Sequence, residues 1–367
     1  MKIRYHVYKD FRLKFAGASD EQIAEAKSRD AAKIARLRYS FVSLRYHPRR
    51  RKLFVGATNT RGDILLEFDP EKRRFKSCGF GRSRACDPCD DKIHKGLYLV
   101  EDEDALYFAT ATLGGMARTV DAKGGGLIRY DIRKRKFRCL ARPTHGDYHQ
   151  SSCFDFGRGK AYIWTRRGCF AVWDLERKGR RRYEAMGSTP HNGCIDEAGG
   201  VWGTYGPGRQ AFYRYDPDRN RFAFTDLAFP NAREAANIMY DGAGPVDSFL
   251  AAPDGLLYTA SALGELYRID PRKMSIEFLG KPMPGKRLPA MALADDGWIY
   301  MAGGDDRKQR LARYSREERR FEILGRLVAK DGIRCFRSHE LAVVDDVVFI
   351  GETDHPRRSG YLWACEL

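Results

Sequence analysis

The sequence predicts an all-β fold, a seven-bladed β-propeller of four-stranded blades, and three observations carry that prediction. One phrase recurs six times: "LLEFDPEKRRFKSCG", "LIRYDIRKRKFRCLA", "FAVWDLERKGRRRYEAMG", "FYRYDPDRNRFAFTD", "LYRIDPRKMSIEFLG" and "LARYSREERRFEILG". A seventh copy, "SGYLWACEL", begins the phrase and ends with the chain. A second pattern stands upstream of each copy, an apolar strand, an acidic or glycine turn and another apolar strand, as in "LYLVEDEDALYFAT", "FLAAPDGLLYTA" and "LAVVDDVVFIGE". Together they give four strands per unit at roughly 40 to 60 residues, the period of propeller blades.

The elements follow in order. Residues 1–10 contain "KIRYHVYK", which alternates apolar and polar groups and reads as a strand. The last unit supplies only three strands, so this N-terminal strand is predicted to be its fourth, closing the ring and removing an exposed edge. Residues 18–37, "ASDEQIAEAKSRDAAKIARL", interrupt the β pattern. Ser19 with Gln22 three positions on resembles a capping box, and Ala, Glu and Lys dominate, so a surface helix is predicted here. Residues 38–367 are the blades, and 1–367 reads as one domain. Within each repeat an aromatic or Ile precedes Asp, as in Phe68-Asp69, Tyr130-Asp131, Trp173-Asp174, Tyr215-Asp216 and Ile269-Asp270, while Tyr314 precedes Ser315. Such an Asp can bond its own backbone two residues on, so the repeated polar stretch is a hairpin turn.

Composition bounds the function. The 367 residues are 43% apolar and 12% aromatic, so the chain is globular. No run approaches ~20 apolar residues, which excludes a membrane-spanning helix. The N-terminus carries no apolar leader segment, and nine scattered cysteines do not form a disulfide framework. Both point to a cytoplasmic, reducing setting. Sixty-six Lys and Arg against 49 Asp and Glu give +17, which favours anionic partners. The aromatics sit at strand positions rather than as exposed platforms, which disfavours nucleic acid.

In a propeller the residues before each innermost strand, and the loops between second and third strands, converge on one central mouth. The innermost-strand starts carry His94, His149, His191, Asp247 and His339-Glu340. The loops carry Arg166, Arg167, Tyr205, Arg209, Arg307, His355, Arg357 and Arg358. Tyr148 adjoins one His, and Tyr240 lies in a long connection. Four of the eight histidines share one register position, so they are read as a functional cluster rather than channel packing.

A His/Arg/Tyr mouth suits β-elimination from a uronic acid. Arg neutralises the carboxylate through a bidentate pair, which acidifies the neighbouring C–H. A His or Tyr takes the proton, and another protonates the leaving oxygen. His149 and His191 are the expected acid–base histidines, with Tyr148 or Tyr205 as proton donor. Substrate-binding roles fall to His94, Arg166, Arg167, Arg209, Tyr240, Arg307 and His339. Glycoside hydrolysis needs two carboxyl groups flanking the bond, and only Asp247 and Glu340 are placed for it. A competing constellation, Cys78, Cys86, Cys89 and His94, has ligand types suited to zinc but only one Cys-x-x-Cys.

The repeat resembles those of seven-bladed propeller polysaccharide lyases of the ulvan lyase and oligogalacturonate lyase type, and it is also similar to those of virginiamycin B lyase-type propellers. The resemblance runs from about residue 38 to 367 and is one of repeats. It implies top-face histidines with Tyr and Arg beside them or with a divalent cation, and an acidic oligosaccharide or polysaccharide as partner. By position His94, His149, His191, His339, Tyr148, Tyr205, Arg167 and Arg209 match that implied pattern. Two alternatives stand beside it: a virginiamycin B lyase-like small-molecule lyase, and a non-enzymatic propeller that binds an anionic partner or a protein.

Overall fold

Alternating strands separated by tight turns assemble, in a computed structural model, into seven antiparallel sheets of four strands. The structure describes residues 1–11, 19–113, 122–208, 210–239 and 243–367. The innermost strands of the seven blades are β2 (Ser40–His47), β6 (Leu97–Val100), β10 (His149–Asp155), β14 (Cys194–Ile195), β18 (Val246–Ala251), β22 (Ala290–Leu293) and β26 (Ser338–Val344). Blades are numbered one to seven in that order. Apolar faces of neighbouring blades interlock, as where Phe54 and Leu65 of blade one meet Leu106 and Tyr130 of blade two.

The seventh blade explains the truncated repeat. It orders β26, β27 (Val347–Glu352) and β28 (Leu362–Glu366), with β1 (Lys2–His6) outermost. Tyr5 pairs with Trp363 across the β1–β28 ladder and stacks on Tyr361 at 4.7 Å. A strand from the start of the chain thus shields the edge left by the end of it.

The repeated Asp is a turn device. Asp69 Oδ1 accepts from the Glu71 and Lys72 backbone N–H groups, and Asp174, Asp216 and Asp270 repeat that pair of bonds in their own hairpins. In the sixth copy Ser315 Oγ replaces it, accepting from Glu318 N at 3.0 Å. Four residues after each stands a left-handed residue, Arg73, Arg135, Lys178, Asn220, Met274 or Arg319. The phrase therefore encodes a hairpin, not chemistry.

The interrupting segment forms two helices, α1 (Asp20–Arg29) and α2 (Ala31–Leu37), where the sequence predicts one. Ser19 and Gln22 make both bonds of the capping box. The helix breaks at Asp30, whose backbone (φ −98°, ψ 19°) leaves the helical region.

Candidate metal centre

The mouth is built on β-bulges. Register slips by one residue at Val42 in blade one, Gln150 in blade three, Asp247 in blade five and His339 in blade seven. A bulge leaves its residue out of the ladder and re-aims the side chain. The bulged carbonyls are therefore free to accept other bonds, and three of them hold a histidine of the preceding blade. His94 Nδ1 of blade two donates to the Gln150 carbonyl, His191 Nδ1 of blade four to the Asp247 carbonyl at 3.1 Å, and His339 Nδ1 of blade seven to the Val42 carbonyl at 2.9 Å.

The tautomer follows. A carbonyl only accepts, so each Nδ1 carries the proton and each Nε2 is a bare lone pair. The three Nε2 atoms turn towards one another: His94 to His191 at 2.9 Å and His94 to His339 at 3.1 Å. Burial pushes all three rings below the usual imidazole range, His191 to about 4 although Asp247 opposes the shift. Lys92 and Lys95 add to the depression at His94 and His339. Neutral lone pairs at hydrogen-bond distance, with no proton between them, repel unless a cation lies among them. Imidazoles bound at about 2.0–2.1 Å to one ion bring their nitrogens to about 3 Å apart. The donor set thus fits a divalent transition ion, with neutral nitrogen ligands and outer acceptors on every Nδ1. Among the described residues these three form the one group of His, Cys, Asp or Glu close enough to hold a metal.

Asp247 supports the set. Its buried carboxylate accepts from Arg287 at 2.8 and 2.9 Å and from Leu288 N at 2.7 Å, and stands 3.2 Å from His191 Nδ1. Burial alone would raise its carboxyl, but Arg287 and His191 hold it well below the usual carboxylate range. Beneath the histidines Lys95 is buried, its Nζ donating to the Pro289 carbonyl, the His339 carbonyl and Glu340. Asp247 and Glu340 are thus committed to structural partners and do not form a hydrolytic carboxyl pair.

Above the histidines lies a cavity of about 280 Å³, lined in part by Lys92, Gln150, Arg166, Arg287, Arg337 and Asp354. Four cations line it; Asp247 pairs with Arg287, and Asp306 and Asp354 with Arg337, so four positive groups face three carboxylates and the mouth keeps a net positive charge. Lys92 Nζ has no hydrogen-bonded acceptor among the described residues. Burial and the charges of Lys95, Arg166 and Arg287, opposed by Asp354, lower its ammonium to about 8.

The predicted residues divide cleanly. His94, His191 and His339 converge from blades two, four and seven, which are not neighbours in the ring, and His149, expected to act with His191, is not among them. His149 stands one residue before the blade-three bulge, and its side chain turns away from the cluster, towards the connection from blade two. It is 2% exposed, with Nε2 3.1 Å from Thr144 Oγ1 and its ring against Gly125. Gln150 takes its place at the mouth. Tyr148 is buried outside the cavity lining, and Tyr205 donates to the Thr225 carbonyl beside a lateral groove. Arg166 lines the cavity, whereas Arg167, Arg307 and Arg357 do not. Arg209 and Tyr240 lie outside the described residues. Cys78, Cys86 and Cys89 do not gather with His94 into a ligand group. Arg287 and Arg337 were missed; both stand just before innermost strands, the register that singled out the histidines.

His149 supplies a pH test. Burial and Arg142 depress its ring to about 3. The unfolded chain takes up this proton near pH ~6.5, so the stability the neutral ring contributes is present above that pH and lost as pH falls towards the folded value. The slope is about 1.4 kcal/mol per pH unit for one such group. His149→Gln is expected to flatten the fall in urea midpoint between about pH 6.5 and 4 by one proton's worth. An unchanged slope would refute the buried neutral assignment.

No protein-family model matches the chain, and no curated protein matches it. Solved structures do. A streptogramin B lyase structure aligns over 98% of this chain and 97% of its own, with TM-score 0.61 and 12% identity. Virginiamycin B lyase from Staphylococcus aureus aligns over 89% of this chain and 95% of its own, with TM-score 0.61 and 10% identity. The extracellular domain of a hybrid two-component system from B. thetaiotaomicron aligns over 89% of this chain but 39% of its own, with TM-score 0.56 and 14% identity. At these identities the likeness is one of fold.

Proposed function

We propose that the three-histidine mouth is the active site of a carbon–oxygen lyase that uses a divalent cation and acts on a small carboxylate-bearing substrate. The carrying observation is the convergence of three bare Nε2 atoms at the floor of an electropositive cavity. The lyase class is supported by fold likeness to propellers named for streptogramin B and virginiamycin B. At about 280 Å³ the cavity is at the small end of ligand sites, which favours one sugar-sized unit or a chain end over the middle of a polymer.

The chain's own groups cover the remaining roles. Arg166 lines the cavity and pairs with the substrate carboxylate, which makes the C–H beside it more acidic, while Arg337, held by Asp306 and Asp354, adds its field. Lys92 is the one amine among the described lining residues, and its position gives it that proton. The C–O bond on the next carbon breaks, its electron pair leaves with oxygen, and water protonates that oxygen. A cation held by His94, His191 and His339 would supply positive charge against the negative charge that develops on the carboxylate.

The test offers uronic-acid oligosaccharides and a streptogramin B in parallel, following ultraviolet absorbance of the new conjugated double bond. Elimination that EDTA abolishes and Mn²⁺ or Zn²⁺ restores is the expected result. No elimination from either class would overturn the lyase reading.

A further inference from the structure

The histidine cavity does not end at its own wall. A second cleft of about 440 Å³ adjoins it, and the two share Lys92, Leu113 and Asp354. The far wall is helix α2, which presents Ala31, Ile34 and Ala35 across from Leu113. Leu113 is 49% exposed, so the cleft keeps an apolar strip open to solvent. Lys27 and Arg38 also line the cleft, Arg38 beside His355 and Asp354. Lys27 has no ion-pair partner among the described residues. Arg38 donates to the His355 carbonyl, a neutral acceptor, at 3.0 Å. Burial lowers both cations, and Arg38 adds to the depression at Lys27. Two partly desolvated cations in a cleft with an apolar strip are complementary to a flat apolar body that carries an anionic group.

We infer that the α2 cleft is a second ligand subsite, which takes an apolar-faced ring bearing a negative charge, joined through the Lys92–Asp354 neck to the group held over the histidines. The joining of the two halves rests on the lyase reading; the subsite itself does not. It makes the preferred ligand an elongated molecule with two acidic groups.

Anilinonaphthalene sulfonate, an apolar ring system with one anionic group, probes the subsite without turnover. Wild type is expected to bind it with enhanced fluorescence, undiminished by EDTA. Lys27→Glu should weaken binding by about tenfold or more, since it sets like charge against the sulfonate. Ile34→Asp, on the half-buried face of α2, should do the same. Lys27→Glu is a surface change that leaves the fold intact, so it decides. If that variant binds the probe within about twofold of wild type, the subsite is overturned, whatever the substrate panel shows. If the probe result holds while every substrate fails, the lyase reading falls and the subsite stands.

Discussion

Replacing His94 with alanine is expected to abolish the divalent-cation binding proposed for the mouth. His94 is the hub of the cluster, since both short Nε2 contacts run through it. Without it, two imidazoles from blades four and seven remain, and no third nitrogen orders them. The loss should exceed the ~10–100-fold in metal affinity that removal of a merely supporting residue costs. Metal analysis after dialysis should fall from about one ion per chain to background, and any turnover should fall with it. His191→Ala and His339→Ala should behave alike. His149→Ala is the discriminating control: its ring packs against Gly125 and Thr144, apart from the three-histidine cluster, so metal content should be retained. Equal metal loss in His149→Ala and His94→Ala would refute the assignment, as would an ion bound by wild type that survives His94→Ala.

That contrast also shows how far the sequence could be read. Period-two alternation is a local property, so strands, hairpins and the ring closed by β1 were legible from residue order. The capping box at Ser19 was legible for the same reason. The hinge at Asp30 was not, because nothing in "KSRDAAK" breaks helical periodicity. The mouth was half legible. Counting from strand starts found His94, His191 and His339 because all three stand at that register. It also selected His149, because a bulge adds one residue without altering composition and turns every side chain before it to the other face. Which histidines meet was not legible, because residue order does not give the channel's width; the channel brings His191 of blade four and His339 of blade seven to within 3.1 Å of His94 of blade two. Arg287 and Arg337 were hidden by abundance, since a chain with 66 basic residues offers no contrast to mark two of them.

Asp247→Ala is expected to damage stability and metal affinity together, and a second substitution should separate them. The carboxylate is fully buried and carries the Arg287 guanidinium, the Leu288 N–H and the His191 imidazole. Removing it takes a bidentate carboxylate from Arg287 in a largely buried site, and breaking such a buried pair costs about 3–5 kcal/mol. It also removes the carboxylate 3.2 Å from His191 Nδ1 and leaves the Asp247 carbonyl as that ring's acceptor, which should lower metal affinity by ~10–100-fold. Asp247 is held ionised by Arg287 and His191, so its contribution is present above the ordinary carboxylate range and is lost only as pH falls through the lowered folded value. The damage in the variant should therefore be nearly constant from neutral pH down to the onset of acid unfolding. Arg287→Met in the same chain removes the charge that has lost this carboxylate, and Met fills much of the space with apolar atoms. The double variant should recover most of the lost stability, because replacing both members of a buried pair is far cheaper than removing one. It should not recover metal affinity, because no carboxylate stands beside His191 Nδ1. Chemical denaturation read beside a competitive chelator titration would measure both. Affinity that returned along with stability would mean that Asp247 acts on the metal only through the fold, and its role in orienting His191 would be withdrawn.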